Sequence, residues 1–253
     1  MKVFYSFYTN VGKMRANNED ALLLMDELFC EENLEECSEG FSENDYFLFV
    51  VADGMGGHKK GEVASRLVLE SLLEEKEKIY EDLEEGLQRA KKRLNEYAKK
   101  NPLALGLGCA VAGLVIKDNF AKVFNVGDCR VYRFVNNKLI KLSKDHSVVE
   151  RLLSEGLITE EQARDYPQKN VLTSAIMGDL SENIPEIFVR EMELYDGDFF
   201  LLCSDGLWEE LEKHELIDCF SEEKPCRAIL DLLKEKPLKD NVSFILVKIK
   251  IEE

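Results

Sequence analysis

The sequence predicts an α+β fold built from antiparallel sheets and helices. Short runs rich in Val, Ile and Phe are joined by turns such as Lys117-Asp118-Asn119, which is typical of antiparallel hairpins. Two longer segments, 61–80 and 82–100, show the helical spacing of apolar residues. The chain contains no internal repeat and no low-complexity linker, so we expect residues 1–253 to form one domain.

Composition excludes several classes of protein. With 45% hydrophobic and 33% charged residues the chain is typical of globular proteins, and no apolar run approaches the roughly 20 residues that span a bilayer. The first 15 residues lack the pattern of a signal peptide, so we expect a cytoplasmic protein. A formal net charge of −17 argues against nucleic acid or a membrane as partner, because phosphate groups are bound by basic patches. The seven cysteines are scattered and odd in number, so we expect no disulfide framework.

The predicted strands have apolar, β-branched or aromatic sequences. In chain order they are 21–25, 47–52, 110–116, 121–126, 131–134, 199–203 and 241–251. The two long helices, the second of which ends at Asn101-Pro102, are expected to form an antiparallel pair. Further helical patterns cover 146–165 and 213–235.

Residues 26–45 are acidic and only weakly apolar. Such a composition supplies little core, so we interpret this segment as an exposed surface insertion between two strands. We expect it to affect the choice of partner but not the reaction.

The stretch FLFVVADGMGGHKKGEVAS, residues 47–65, places Asp53 at the end of an apolar run. A simple turn is one interpretation, because Asp-Gly is a favoured turn dipeptide. Asp128 and Asp205 also follow apolar strands, whereas Asp20 and Asp240 precede them. In antiparallel sheets the end of one strand lies beside the start of its neighbour, so we expect the five carboxylates on one rim.

A rim of carboxylates indicates a cation site. Like charges repel and shift one another's protonation, and a hard divalent cation relieves that cost. Oxygen donors suit Mg²⁺ or Mn²⁺, and the cysteines and histidines lack zinc-ligand spacing.

The spacing of the cysteines and glycines does not match other common catalytic or nucleotide-binding motifs. No cysteine is followed by arginine six positions later, which excludes the thiolate-plus-loop arrangement of cysteine phosphatases. The glycines of GLGCAVAG, residues 106–113, do not match a dinucleotide loop, so we expect a tight strand entry. Asp196-Gly197-Asp198 is interpreted as a turn.

Seven motifs, in order along nearly the whole chain, carry a family resemblance. They are RANNED at 15–20, VADGMGG at 51–57, NVGDCR at 125–130, KDHS at 144–147, LTSAIMG at 172–178, CSDGLW at 203–208 and DNVS at 240–243. Together they resemble the PPM-type, or type 2C, metal-dependent serine/threonine protein phosphatases, in the form of the bacterial branch.

The resemblance implies a β-sandwich of two antiparallel sheets flanked by helix pairs, with a metal centre at one end. It implies that Asp53 bridges two Mg²⁺ or Mn²⁺ ions, that the Gly54 carbonyl binds one of them, and that Asp205 and Asp240 hold the other. Asp20 is expected to orient water, and Asp128 to form a weaker third metal site with Asp205. Two ions of this kind activate water for in-line attack on phosphorus.

The resemblance also assigns residues around the metals. Arg15 corresponds to the arginine that binds the substrate phosphate; the alternative is that it merely pairs with Glu19. Residues 147–170 correspond to a variable flap beside the cleft.

Met55 and Ser174 depart from the family pattern. Met55 stands where many members have a histidine proposed as general acid, which leaves His58 as a candidate for that role. His146 is expected to support a turn. Ser174 stands where an arginine is common.

The resulting hypothesis is a monomeric cytoplasmic phosphatase that acts on phosphoserine and phosphothreonine in phosphorylated proteins and opposes a serine/threonine kinase. One alternative is a non-catalytic, phosphatase-like binding or regulatory module. Another is a cation-binding protein without hydrolytic function, which leaves Arg15 unexplained.

Overall fold

Two antiparallel sheets packed face to face form the centre of the fold. The computed structural model describes residues 1–56, 60–164 and 166–251 of the chain. The strands are β1 (Lys2–Asn10), β2 (Asp20–Leu24), β3 (Glu27–Cys30), β4 (Ser38–Glu43), β5 (Tyr46–Met55), β6 (Gly108–Lys117), β7 (Phe120–Val126), β8 (Arg130–Val135), β9 (Lys138–Lys141), β10 (Ile176–Met177), β11 (Phe188–Glu193), β12 (Phe199–Cys203) and β13 (Val242–Lys250). One sheet has the order β4-β1-β13-β12-β8-β9 and the other β11-β7-β6-β5-β2-β3, with β10 paired to β6. The predicted α+β class and the two-sheet architecture are confirmed.

Helices cover the outer faces of both sheets. Their bounds are α1 (Gly61–Glu74), α2 (Lys76–Ile79), α3 (Leu83–Lys100), α4 (Val148–Ser154), α5 (Glu160–Arg164), α6 (Asp205–Trp208), α7 (Lys213–Phe220) and α8 (Pro225–Lys234). Helices α1 and α3 pack on the sheet that contains β5, and α7 and α8 pack on the sheet that contains β13. The expected pairing of the two long helical segments is confirmed.

Strand β5 shows why the central strands read as continuous apolar runs. Phe47, Phe49 and Val51 point into the layer between the two sheets, whereas Leu48 and Val50 point toward α1 and α3. Because both faces are buried, the usual alternation of apolar and polar residues is lost.

Three predicted helical segments are interrupted, and the segment 146–165 is divided into α4 and α5. The segment 61–80 breaks at Glu75, which has a non-helical backbone, and the redirected α2 brings Ile79 into the core against Gly86 of α3. The segment 213–235 is two helices: α7 ends at Phe220, and α8 begins at Pro225, whose missing N–H is tolerated in a first helical turn.

The prediction that residues 26–45 form an exposed loop is wrong. Strand β3 pairs with β2 and β4 pairs with β1, so each lies at an edge of one sheet. The expectation of no disulfide is also wrong, since Cys37 and Cys226 are bonded. The two cysteines are 189 positions apart and meet only because the β3–β4 connection lies beside α8.

Strands β1, β9, β10 and β11 were not predicted either. They are short or polar in part, and β11 has mostly exposed side chains. None of the helices in 1–56, 60–164 and 166–251 has the length and apolarity needed to cross a membrane.

Candidate metal centre

The five predicted aspartates come from both sheets. Asp20 and Asp53 are directly opposite each other in the β2–β5 pair, which places their Cα atoms about 5 Å apart. Asp205 follows β12 as the first residue of α6, and Asp240 precedes β13. Asp128 lies in the turn between β7 and β8, which belong to different sheets.

Asp53 is inside β5 and not just past its end. The strand continues through Gly54 to Met55. Asp53 pairs with Ala110 of β6, and the next two residues pair with Cys109 and Gly108. The apolar run stops at Ala52, but the backbone ladder does not. The alternative in which Asp53-Gly54 forms a simple turn is therefore wrong.

Mutual repulsion shows that the carboxylates share one environment. Burial raises the pKa of Asp53 well above its usual range, and the charges of Asp205, Asp20 and Asp128 raise it further. Burial also raises the pKa of Asp205, with contributions from Asp128 and Asp240. These mutual effects agree with the expectation that the five lie on one rim, and they destabilise the anionic forms there.

Asp20 and Asp128 are perturbed less strongly. Burial raises the pKa of Asp20 to about 7 against the opposing hydrogen bonds of Ser243 and Ser204. Burial and the charge of Asp145 raise the pKa of Asp128 to about 6.

This donor set fits a hard divalent cation. It consists of carboxylate oxygens, with the Gly54 carbonyl nearby, and these are the ligands that Mg²⁺ and Mn²⁺ accept. In the described ranges 1–56, 60–164 and 166–251, no three His, Cys, Asp or Glu side chains already converge on a single ion position. The assignment of each aspartate to a particular ion therefore stays a prediction.

Gly54 packs too closely for any side chain. A Cβ atom there would lie 2.1 Å from the Gly61 carbonyl oxygen and 2.6 Å from that of Glu19. The Gly54 N–H donates to the same Glu19 oxygen at 3.1 Å. The start of α1 and the loop before β2 thus meet at the backbone of the candidate site.

A hydroxyl network behind Asp20 was not foreseen from the sequence. Ser204 donates to the Asp20 carboxylate at 2.8 Å and accepts from the Ser243 N–H at 3.1 Å. The hydroxyls of Ser243 and Thr9 are 2.8 Å apart. Ser204 and Ser243 occur within the motifs that contain Asp205 and Asp240, and that adjacency was the available signal.

Arg15 pairs with Asp240. Its Nη2 donates to Asp240 Oδ2 at 2.5 Å, and 48% of the arginine side chain is exposed. This hydrogen bond raises the pKa of Arg15, and Glu19 contributes only through its more distant charge. The alternative that Arg15 merely pairs with Glu19 is therefore wrong, because the carboxylate that Arg15 binds is that of Asp240.

The turn that carries Asp128 is held by side chains from three segments. Trp208 Nε1 donates to the Asp128 carbonyl at 3.2 Å, and the Arg130 guanidinium lies 3.5 Å from the Trp208 ring centroid. Arg130 also donates to both oxygens of Asp145, to Oδ1 at 3.2 Å and to Oδ2 at 2.6 Å. Arg130 and Trp208 lie within the NVGDCR and CSDGLW motifs, but the sequence alone assigns them no role.

His146 supports the same turn. Its ring Nδ1 accepts from the Gly127 N–H at 3.1 Å, and the backbone N–H of His146 donates to the Gly127 carbonyl at 2.8 Å. This confirms the expected structural role of His146. His58, the candidate general acid, lies outside the described residues, and Met55 is half-buried at the end of β5.

Both ends of the predicted flap, residues 147–170, lie close to His146, which supports the turn that carries Asp128. Ser147 pairs with Leu172, and the Thr173 N–H donates to the His146 carbonyl at 2.8 Å. Helices α4 and α5 lie between these anchors.

The buried cysteines are poor nucleophiles. Burial raises the pKa of the thiols of Cys109 and Cys129 well above their usual range, and the charge of Asp53 raises both further. Their thiolate forms are scarce near neutral pH.

Comparison with known proteins gives a consistent result. A family model described as "Protein phosphatase 2C" matches residues 29–242. The "Serine/threonine phosphatase stp" of Listeria welshimeri is 30% identical, with 96% of this chain and 94% of that protein covered. The crystal structure of the serine/threonine phosphatase Stp1 from Staphylococcus aureus is 29% identical with a TM-score of 0.79, covering 98% of this chain and 95% of that one. The catalytic domain of the serine/threonine phosphatase PstP, solved with two manganese ions, has a TM-score of 0.78 at 24% identity, covering 99% of this chain and 100% of that one.

Proposed function

Because the chain belongs to the protein phosphatase 2C family, we propose that its carboxylate cluster binds two divalent cations, Mn²⁺ or Mg²⁺, for the hydrolysis of phosphoserine and phosphothreonine in proteins. The family consists of serine/threonine protein phosphatases, and this chain is an enzyme of that class. The observation that supports the location of the site is that five aspartates at the ends of two sheets lie near enough to raise one another's pKa.

Each aspartate has a distinct proposed role. Asp53 would bind both ions, with the Gly54 carbonyl on one of them. Asp205 and Asp240 would bind the other ion, and Asp128 with Asp205 would form a weaker third site. Asp20, held by the Ser204 hydroxyl, would accept hydrogen bonds from water at the site.

Bound divalent cations supply the Lewis acidity that makes water a nucleophile near neutral pH. The protein supplies position and charge. The guanidinium of Arg15 would donate two parallel hydrogen bonds to phosphate oxygens and offset their repulsion by the carboxylates. For this it would exchange Asp240 for the phosphate as its partner.

The alternative of a non-catalytic module is disfavoured by the residues themselves. Asp53, Asp205 and Asp240 are all present, and the loss of one of them would have been expected in a binding module. Family membership also supports the catalytic interpretation.

We further propose that residues 1–253 act as one catalytic domain, since both sheets contribute aspartates. The proposed substrates are phosphorylated proteins, and the proposed counterpart is a serine/threonine kinase. A monomeric state and a cytoplasmic location are predictions from the sequence, as is the lack of a nucleic-acid or membrane partner.

The decisive experiment is phosphopeptide turnover with added Mn²⁺ and then with excess EDTA. We expect turnover with Mn²⁺, its loss in EDTA, and its survival after thiol alkylation. Asp205→Asn should lower both Mn²⁺ affinity and turnover by about 100-fold or more, because it removes one negatively charged ligand.

The matched control is Asp196→Asn, since Asp196 is an exposed aspartate that pairs with Lys250 at 3.0 Å. It should leave both quantities unchanged. Full activity in excess EDTA, or unchanged Mn²⁺ binding by Asp205→Asn in calorimetry, would show that the proposal is wrong.

A further inference from the structure

We propose that Asn241 is a positioning residue that fixes Arg15 relative to the aspartates of the site. The inference rests on the proposed function, in which Arg15 binds the substrate phosphate. Arg15 lies in the connection between β1 and β2, residues 11–19, which contains neither helix nor strand. The placement of this connection therefore depends on hydrogen bonds to its surroundings.

The side chain of Asn241 binds both ends of this connection. Its Nδ2 donates to the carbonyls of Val11 at 2.9 Å and Asn17 at 3.0 Å, and its Oδ1 accepts from the Glu19 N–H at 2.9 Å. Both donor hydrogens and the acceptor oxygen of the amide are thus used. Asn241 is only 4% exposed, so water cannot readily replace these bonds.

The backbone of Asn241 is fixed to the aspartates. Its N–H donates to Asp240 Oδ1 at 2.8 Å, while Arg15 donates to the other oxygen of the same carboxylate. Its carbonyl lies against Gly206, where a Cβ atom would come within 2.0 Å of it, and Gly206 directly follows Asp205. The 11–19 connection therefore meets the segments that contain Asp205 and Asp240 at Asn241.

Removal of the Asn241 amide leaves two carbonyls and one N–H without this partner and loosens the 11–19 connection. The connection keeps its bonds from the Val11 N–H to Asn33 and from the Lys13 N–H to the Leu238 carbonyl. Arg15 then samples more positions, and its alignment with a phosphate is lost more than the cation site is. Asn95 offers a matched comparison, because its amide also joins distant backbone, accepting from the Leu180 N–H and donating to the Ser181 carbonyl, each at 2.9 Å. That segment does not carry Arg15.

A double-mutant cycle tests the inference. Asn241→Ala, Arg15→Ala and the double variant are compared by kcat/KM on one phosphopeptide at saturating Mn²⁺ and by the inhibition constant of inorganic phosphate. Asn241→Ala should lower kcat/KM and weaken phosphate inhibition by about tenfold. The double variant should stay within about threefold of Arg15→Ala, because both changes remove one function. Asn95→Ala should stay within about twofold of the parent.

Independent effects that multiply in the double variant, or unchanged phosphate inhibition in Asn241→Ala, would overturn the inference. If the alanine variant does not fold, Asn241→Ser, which keeps a polar group in the buried space, enters the same cycle. If the parent hydrolyses no phosphopeptide, the proposed function fails. Calorimetric binding of inorganic phosphate to the Mn²⁺-loaded variants then still decides whether Asn241 acts through Arg15.

Discussion

Arg15 donates from one nitrogen to Asp240, a proposed cation ligand, and is half-exposed at the edge of the carboxylate cluster. An exposed ion pair of this kind contributes at most about 1 kcal/mol, so it is easily exchanged. The arginine therefore neutralises Asp240 at little cost and is available to a phosphate. As the partner of Asp240, Arg15 competes with a cation for that carboxylate. As the proposed ligand of the substrate phosphate, it supports catalysis.

Arg15→Ala should accordingly separate these roles. We expect kcat/KM to fall by about 10- to 100-fold, from the loss of hydrogen bonds to a charged group. Affinity for Mn²⁺ should rise by about two- to fivefold, because Asp240 loses a competing partner. Steady-state kinetics on a phosphopeptide and calorimetry with Mn²⁺ measure the two effects.

Arg15→Lys keeps the charge without the planar fork and should recover only part of the lost kcat/KM. The control is Arg89→Ala, which removes an exposed arginine paired with Glu85 on α3. A kcat/KM within twofold of the parent in Arg15→Ala would rule out the phosphate role. A fall in Mn²⁺ affinity would show that Arg15 supports the ligand instead of competing for it.

Strands β3 and β4 and the connection between them make contacts that the sequence did not suggest. Besides pairing with β2 and β1, this segment bonds to the chain that leads into the site. The Leu34 N–H donates to the Thr9 carbonyl, and Asn18 donates to the Glu32 carbonyl. The Cys37–Cys226 bond ties the same segment to α8.

Breaking this disulfide should destabilise the fold. A cross-link between positions 189 apart restricts the unfolded chain by at most about 5 kcal/mol, and measured gains are usually smaller. Cys37→Ser, or a dithiol reductant, should therefore lower Tm by several degrees. Thermal unfolding with and without reductant measures this.

The matched control is Cys30→Ser, because Cys30 is a free, half-buried thiol seven residues away. It should change Tm little, and its Tm should still fall in reductant. If reductant leaves the Tm of the parent unchanged, the cross-link contributes nothing. Replacement of residues 30–42 by a Gly-Ser linker should also destabilise the protein, since it removes β4 as well as the cross-link.

At the scale of the whole molecule, the site exists only when the two sheets are packed. Asp20 and Asp53 belong to one sheet, whereas Asp205 and Asp240 flank strands of the other. A cation that binds across them binds the folded state alone and so stabilises it. Protons act on the same carboxylates in the metal-free protein.

The metal-free protein should lose stability as pH rises. Burial raises the pKa of Asp20 from 3.8 to about 7, so the folded state binds more protons than the unfolded chain between these values. Stability from such a group is present at low pH and is lost as pH rises through the folded pKa. The pKa values of Asp53 and Asp205 are raised further, so these groups continue the loss above pH 7, and we expect Tm in EDTA to fall by several degrees from pH 6.5 to 8.

Divalent cations should reverse this loss. Mn²⁺ at about 100 times its Kd should add about 2.7 kcal/mol, or roughly 5–10 °C in Tm, with a larger effect at pH 8 than at pH 6.5. Burial lowers the pKa of His146 below its usual value of 6.5. Such a group makes stability rise with pH, but only below pH 6.5 and so outside this range. Asp20→Asn should flatten the pH dependence. A Tm that rises with pH in EDTA would contradict the prediction.

The sequence by itself determined the α+β class, the long helix pair and the central strands, and it singled out the five aspartates of the candidate site. These depend on local patterns: apolar periodicity, a helix stop at Asn101-Pro102, and aspartates at the ends of apolar runs. Edge strands such as β4 lack such a pattern, because a strand with one partner and one exposed face needs few apolar residues.

Only the tertiary structure decided which side chains meet. Arg15 and Asp240 are 225 positions apart, Ser204 and Asp20 are 184 apart, and Cys37 and Cys226 are 189 apart. No spacing along the chain encodes these contacts, since they arise from the order of strands in each sheet and from the packing of one sheet on the other. The continuation of β5 through Asp53 has the same origin, because backbone pairing with β6 holds the strand extended after its apolar residues end.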